Sequence, residues 1–229
     1  MKAMRSVKLA TQVAAVVLLG FAGMWITSPR VHADSNESDP RVQIGFDISP
    51  VKLNLTGLDR ALVGIGSYIV NGPGDCSGCH NAPDIGPRFL PGGNPFFGQP
   101  TKINPASYLG GGTTFTFPIT GGVIQSRNLT PDKTGVPEGG HTLEEFITIM
   151  RTGEDFDHIH PPCPTVGTDG CILPTVGDGD LLQIMPWPFF GNLSDYDLRA
   201  IYEFLKAIPC IAHTPGTPGL LPGVYNTCK

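Results

Sequence analysis

Residues 76–80 read Cys76-Ser77-Gly78-Cys79-His80, and the reading of those five positions decides the fold. In an exported chain, C-x-x-C-H is the attachment site of a c-type haem. Two thiols three positions apart on a helical turn can each add to a vinyl group of the porphyrin, and the next residue then lies under the iron. Cys76 and Cys79 are the expected thioether positions, and His80 is the expected proximal ligand. A zinc site would need a second cysteine pair at similar spacing, yet Cys163, Cys171, Cys210 and Cys228 form no second C-x-x-C. A thioredoxin-like site would sit in a βαβ setting, and the flanking pattern offers none.

Export is read from the other end of the chain. Lys2, Arg5 and Lys8 precede an apolar run over residues 13–26, and Val31-His32-Ala33 supplies small residues at a cleavage site. Residues 1–33 are expected to be a signal peptide cleaved after Ala33, placing the remainder in the periplasm or otherwise outside the cytoplasm. The run falls short of the roughly 18–20 apolar residues that cross a bilayer. Membrane attachment is expected only if the signal stays uncleaved.

Cleavage would leave 196 residues, enough for one domain with its own core. The lost segment carries four bases and no acid, so the formal charge moves from −5 to −9. Such a balance disfavours nucleic acid. With 30 glycines and 23 prolines against 15% charged residues, much of the chain must be turn and loop.

Three helices are legible. Thr56 is read as the start of one, with Asp59 answering the cap and Leu58, Leu62, Ile65 and Ile69 at helical steps. It ends at Asn71-Gly72-Pro73-Gly74 and delivers the chain into the haem motif; Gly66 and Tyr68 mark a face where another helix can approach. Thr142-Leu143-Glu144-Glu145 is a capping box, followed by Phe146, Ile147 and Met150 and a glycine stop at Gly153. Ser194 caps the last helix, whose stripe is Leu198, Ile201, Tyr202 and Leu205 and whose end is Pro209. Residues 34–55 read as an N-terminal arm. Residues 81–127 and 154–183 read as loop insertions, with a short β-hairpin around Gly121-Gly122.

The second iron ligand decides the function, because a thioether closes the iron for electron transfer whereas a vacant position leaves it open to small ligands. Past the signal two methionines remain. Met150 lies on an apolar helical stripe, where packing is the default. Met185 sits in Ile184-Met185-Pro186-Trp187-Pro188, where two prolines restrict the backbone, and is the expected sixth ligand. His158 and His160 lie on one side of an extended stretch and are weaker competitors, while His141 and His213 have no partner visible in the sequence. Two cysteines go to haem, and four remain for two disulfides with three possible connectivities. Sequence neighbours suggest Cys163 with Cys171, and Cys210 with Cys228, the latter tying residues 210–229 to the last helix. Asp178 and Asp180 flank Gly179 without matching a calcium loop.

Asn128-Leu129-Thr130-Pro131-Asp132, Thr134-Gly135, Met150-Arg151-Thr152-Gly153, Met185-Pro186 and Leu193-Ser194-Asp195 form a run that resembles the haem domains in cytochrome c subunits of bacterial alcohol and gluconate dehydrogenases. The wider arrangement resembles a class I mono-haem cytochrome c. That resemblance implies an all-α cytochrome c fold over residues 56–209, with three to four helices around one covalent haem c. It also implies that the helices around Gly66 and Tyr202 cross, and that His80 and Met185 ligate the iron. Those subunits carry three haem motifs where this chain has one. The expected function is single-electron transfer between redox partners, a dehydrogenase or a terminal oxidase, without catalysis on a substrate. The alternatives are a relay subunit of a periplasmic dehydrogenase complex, or a haem enzyme or sensor with an open distal site.

Overall fold

Asp39-Pro40 is a helix start: the Asp39 carboxylate accepts from the Arg41 N–H at 2.9 Å, and proline occupies the first turn. Helix α1 (Pro40–Ile48) follows. The computed structural model describes residues 37–116, 123–156, 180–182 and 184–228. The segment expected to be an arm thus contains a helix. It escapes the periodic pattern because only Val42 and Gly45 on it are buried.

Helix α2 (Arg60–Asn71) begins later than Thr56. Asp59 is itself the N-cap, accepting from the Ala61 and Leu62 N–H groups at 2.9 and 3.1 Å. Nine of the twelve α2 residues are buried, so the helix is enclosed on nearly all sides. Two glycines let neighbours reach its backbone. A Cβ on Gly64 would stand 2.7 Å from the Val42 carbonyl of α1, and one on Gly66 would collide with the carbonyl of Ala200. The Ser67 hydroxyl locks the first crossing by donating to the Gly45 carbonyl at 2.6 Å.

Ala200 belongs to the last long helix. In chain order, the single turn α3 (Cys76–Cys79) is followed by the paired strands β1 (Thr114–Thr116) and β2 (Val123–Gln125), then helix α4 (Leu143–Thr152). Next come strands β3 (Glu154–Asp155) and β4 (Asp180–Leu181), the turn α5 (Trp187–Phe190) and helix α6 (Asp195–Ala207). Among the described residues the regular structure is mostly helical, with four helices of nine residues or more and two single turns. The expected hairpin is present, with Phe115 opposite Ile124 in antiparallel register. A second ladder, Glu154 opposite Leu181, lies in a region read as irregular. Two residues per strand leave no alternation to detect.

The caps of α4 and α6 hold where the sequence placed them. Thr142 and Glu145 form a reciprocal box, Gly153 closes α4 at a φ of +73°, and the Ser194 hydroxyl accepts from the Asp197 N–H. The Phe146 and Tyr202 rings meet at 5.6 Å between centroids, joining α4 to α6. Beyond α6, Cys210 and Cys228 are disulfide-bonded with Cα atoms 5.7 Å apart. The proposed Cys163–Cys171 pair lies outside the described residues, as do His158, His160, Asp178 and the signal segment.

Candidate haem site

At the end of α2 the chain reverses tightly. The Gly74 N–H donates to the Ile69 carbonyl at 2.8 Å, and Asp75 takes a left-handed conformation at φ +40°, which aspartate tolerates better than most residues. An ion pair to Arg88 holds the Asp75 carboxylate. The turn α3 then presents Cys76 and Cys79, and the His80 N–H closes it on the Cys76 carbonyl at 2.8 Å.

Both thiols are free. Burial pushes the Cys76 thiol up to about 12, helped by the Asp75 charge and by Cys79, and burial with Asp75 also raises Cys79. A dithiol built for exchange has a depressed pKa. These two cysteines have the opposite electrostatics.

The His80 ring is oriented by one hydrogen bond: Nδ1 lies 2.8 Å from the Arg127 carbonyl oxygen. A carbonyl can only accept, so Nδ1 carries the proton and, in the neutral ring, Nε2 keeps its lone pair. Burial and the Arg127 charge favour that neutral form, lowering the His80 pKa against the opposing pull of the carbonyl. Gly111 makes the approach possible. Its N–H donates to the His80 carbonyl at 2.9 Å, while a Cβ there would lie 2.5 Å from the Arg127 carbonyl atoms.

Cys76, Cys79 and His80 line a cleft of about 1280 Å³, counting the part open to solvent. Ile69 and Val70 of α2, Phe146 and Met150 of α4, and Ile201 and Leu205 of α6 form apolar walls. Met185 and Pro186 line the same cleft. Met150 is 4% exposed and belongs to the core, whereas Met185 is only partly buried. The Met185 segment is firmly docked. The Trp187 ring lies against Gly153, its indole N–H donates to the Leu182 carbonyl at 3.0 Å, and the Trp187 N–H donates to the Met185 carbonyl at 2.8 Å. The Met185-Pro186 segment runs directly into the turn α5.

The cleft also has a charged patch that the sequence did not disclose. Arg127, 9% exposed, pairs with the buried Asp155 and lies 3.5 Å from His141 Nε2; Arg127, Asp155 and Glu138 all face the cleft. Glu138 is 4% exposed and holds a φ of +52°. A base directly before the Asn128–Asp132 motif was the one available signal. His213, also without a visible partner in the sequence, is buried with Nε2 3.1 Å from Asp84.

Imidazole lone pair, protonated thiols, thioether and apolar walls in one cleft are a donor set that fits a covalently held haem. The relatives to which the chain is similar are named cytochrome c or cytochrome subunits of dehydrogenases. No family model matches the chain. It is 32% identical over 149 residues to the cytochrome c subunit of the quinone alcohol dehydrogenase of Gluconobacter oxydans (strain 621H), covering 64% of this chain and 21% of that protein. It is 30% identical over 146 residues to the gluconate 2-dehydrogenase cytochrome c subunit of Pantoea cypripedii, covering 63% and 22%. With the fructose dehydrogenase cytochrome subunit of Gluconobacter japonicus it shares 26% over 146 residues, covering 62% and 21%. The chain spans about a fifth of the length of the curated relatives it matches.

Proposed function

We propose that the chain is an exported mono-haem cytochrome c that passes single electrons between redox partners. Cys76 and Cys79 would hold the haem as thioethers, with His80 and Met185 as the axial ligands in a class I cytochrome c fold. The observation that carries this reading is the His80 Nδ1–H to Arg127 carbonyl bond, which leaves Nε2 available in the cleft that Met185 also lines. When bound, the haem supplies a ferric/ferrous couple. The protein's part is to hold its own atoms still. Arg127 fixes the tautomer and rotation of His80, the docking of Trp187 on Gly153 fixes the Met185 backbone, and Ile69, Phe146 and Leu205 keep water from the cleft.

The named relatives support a relay role, with a dehydrogenase as the electron donor. The test is an optical spectrum of protein made in a cell that matures c-type cytochromes, taken oxidised and reduced, with and without carbon monoxide. One haem per chain, a sulfur-to-iron charge-transfer band in the near infrared and indifference to carbon monoxide are expected. Ready carbon monoxide binding by the reduced wild type would replace the carrier with an open-site enzyme or sensor. Co-purification with a dehydrogenase would identify the relay.

A further inference from the structure

We propose that the disulfide-closed C-terminal tail, residues 210–228, is a positioning device for His80 that sets the reduction potential of the site. The effect on potential rests on the haem reading above. The Arg127 carbonyl is the acceptor for His80 Nδ1–H. Its segment, residues 125–131, is held along two edges. On one edge residues 109–113 grip it: the Gly112 N–H donates to the Ser126 carbonyl at 2.8 Å, the Ser126 N–H to the Thr113 carbonyl at 3.0 Å, and the Leu129 N–H to the Leu109 carbonyl at 2.9 Å.

On the other edge the partners come from the tail. The Gln125 carboxamide accepts from the Leu221 N–H at 2.8 Å and donates to the Gly219 carbonyl at 2.6 Å. The Asn128 carboxamide donates to the Ile211 carbonyl at 3.0 Å. The Thr130 hydroxyl donates to Asn128 Oδ1 at 2.6 Å and accepts from the Ile211 N–H at 2.9 Å and from Asn226 Nδ2 at 3.0 Å. Asn128, Thr130 and Asn226 are 1%, 0% and 6% exposed, so water cannot readily replace these partners. The tail is itself a closed unit. His213 and Asn226 exchange backbone hydrogen bonds at 2.9 Å in both directions, and the Cys210–Cys228 bond shuts the loop outside them. Arg127 sits between Gln125 and Asn128, so a tail that lets go frees its carbonyl to drift from His80.

A ligating histidine whose far N–H is well accepted is a more basic ligand and favours the ferric state. Loosening the tail weakens that hydrogen bond and favours the ferrous state. Two full-length variants test this, Cys210→Ser/Cys228→Ser and the milder Gln125→Ala, a partly buried position at the cleft that is not part of the hydrophobic core. The readouts are the midpoint potential and, by NMR, the exchange rate of the His80 Nδ1 proton. The double variant is expected to show about a tenfold rise in the ferrous-to-ferric ratio at fixed ambient potential, roughly 59 mV upward for one electron. Its Nδ1 proton should exchange faster and its axial ligands should be unchanged; Gln125→Ala should move both readouts the same way by less, and decides alone if the double variant does not fold. Wild-type potential and exchange in the folded variants would overturn the proposal. A wild-type chain that takes up no haem would defeat the haem reading, and the exchange comparison on haem-free protein would still decide whether the tail positions His80.

Discussion

A Cβ placed on Gly111 would lie 2.5 Å from the carbonyl carbon and oxygen of Arg127. That position also has a φ of +75°, where an L side chain is strained. Gly111→Ala is therefore expected to destabilise the protein by roughly 1–3 kcal/mol and to push the Arg127 carbonyl off His80. Urea unfolding measures the first effect, and a raised midpoint potential in the holoprotein reports the second.

The crossing of α2 and α6 is equally intolerant of added volume. Gly66→Ala forces a methyl group against the Ala200 carbonyl and the Phe204 side chain. Overpacking at a buried backbone contact costs about 1–3 kcal/mol. Thermal unfolding should show a clear drop in midpoint; Gly57→Ala, which meets open space at its φ of +75°, is the control for backbone strain alone in Gly111→Ala.

The two methionines are expected to separate by phenotype. Met150→Ala removes a core side chain and should cost about 2–5 kcal/mol while keeping the near-infrared band of the ferric protein. Met185→Ala should lose that band and let the reduced form bind carbon monoxide, at a smaller cost in stability. Reversal of the two spectra would assign Met150 as the ligand.

Acid should weaken the fold through three carboxylates held below their ordinary range. The Arg41 side chain lowers Asp39. Burial works against Asp132, but the Thr134 hydroxyl and the N–H groups of Thr134, Val136 and Gly135 outweigh it. The Thr142 N–H and hydroxyl lower Glu145. A carboxylate depressed on folding adds stability that is complete above its unfolded value and disappears as pH falls through its folded one. The melting temperature should thus fall from about pH 5 toward about pH 3, where the unfolded chain takes up protons first. Asp132→Asn should flatten part of that slope without steepening it anywhere.

Elements with a cap and a stripe were legible in the sequence, as α4 and α6 show. The start of α2 was set too early because Thr56 and Asp59 mimic a capping pair, while Asp59 supplies the cap by itself. Helix α1 was hidden because only Val42 and Gly45 on it are buried, and a glycine adds nothing to an apolar pattern. At the site, Cys76, Cys79 and His80 carry their chemistry in their spacing, and Met185 is drawn out by its two prolines. Arg127 lies outside the regular elements, Glu138 in a short 3-10 turn and Asp155 in a two-residue strand, with 28 residues separating the ion-paired Arg127 and Asp155. No local rule joins such residues. The Cys210–Cys228 pair was reached by sequence proximity, but the grip of its loop on residues 125–131 depends on contacts up to 96 positions apart.

The enclosure of α2 has a kinetic consequence. Gly66 and Ala200 are 134 positions apart, and the helix that ends at the haem motif stays open to water on that side until α6 arrives. Closing so long a loop must be completed before its contacts stabilise anything, so the chain is expected to fold more slowly than a helical bundle whose neighbours in space are neighbours in sequence. Through that interval the cleft lacks the wall that Ile201 and Leu205 provide, and the last helix to be made sets the time at which the site can close.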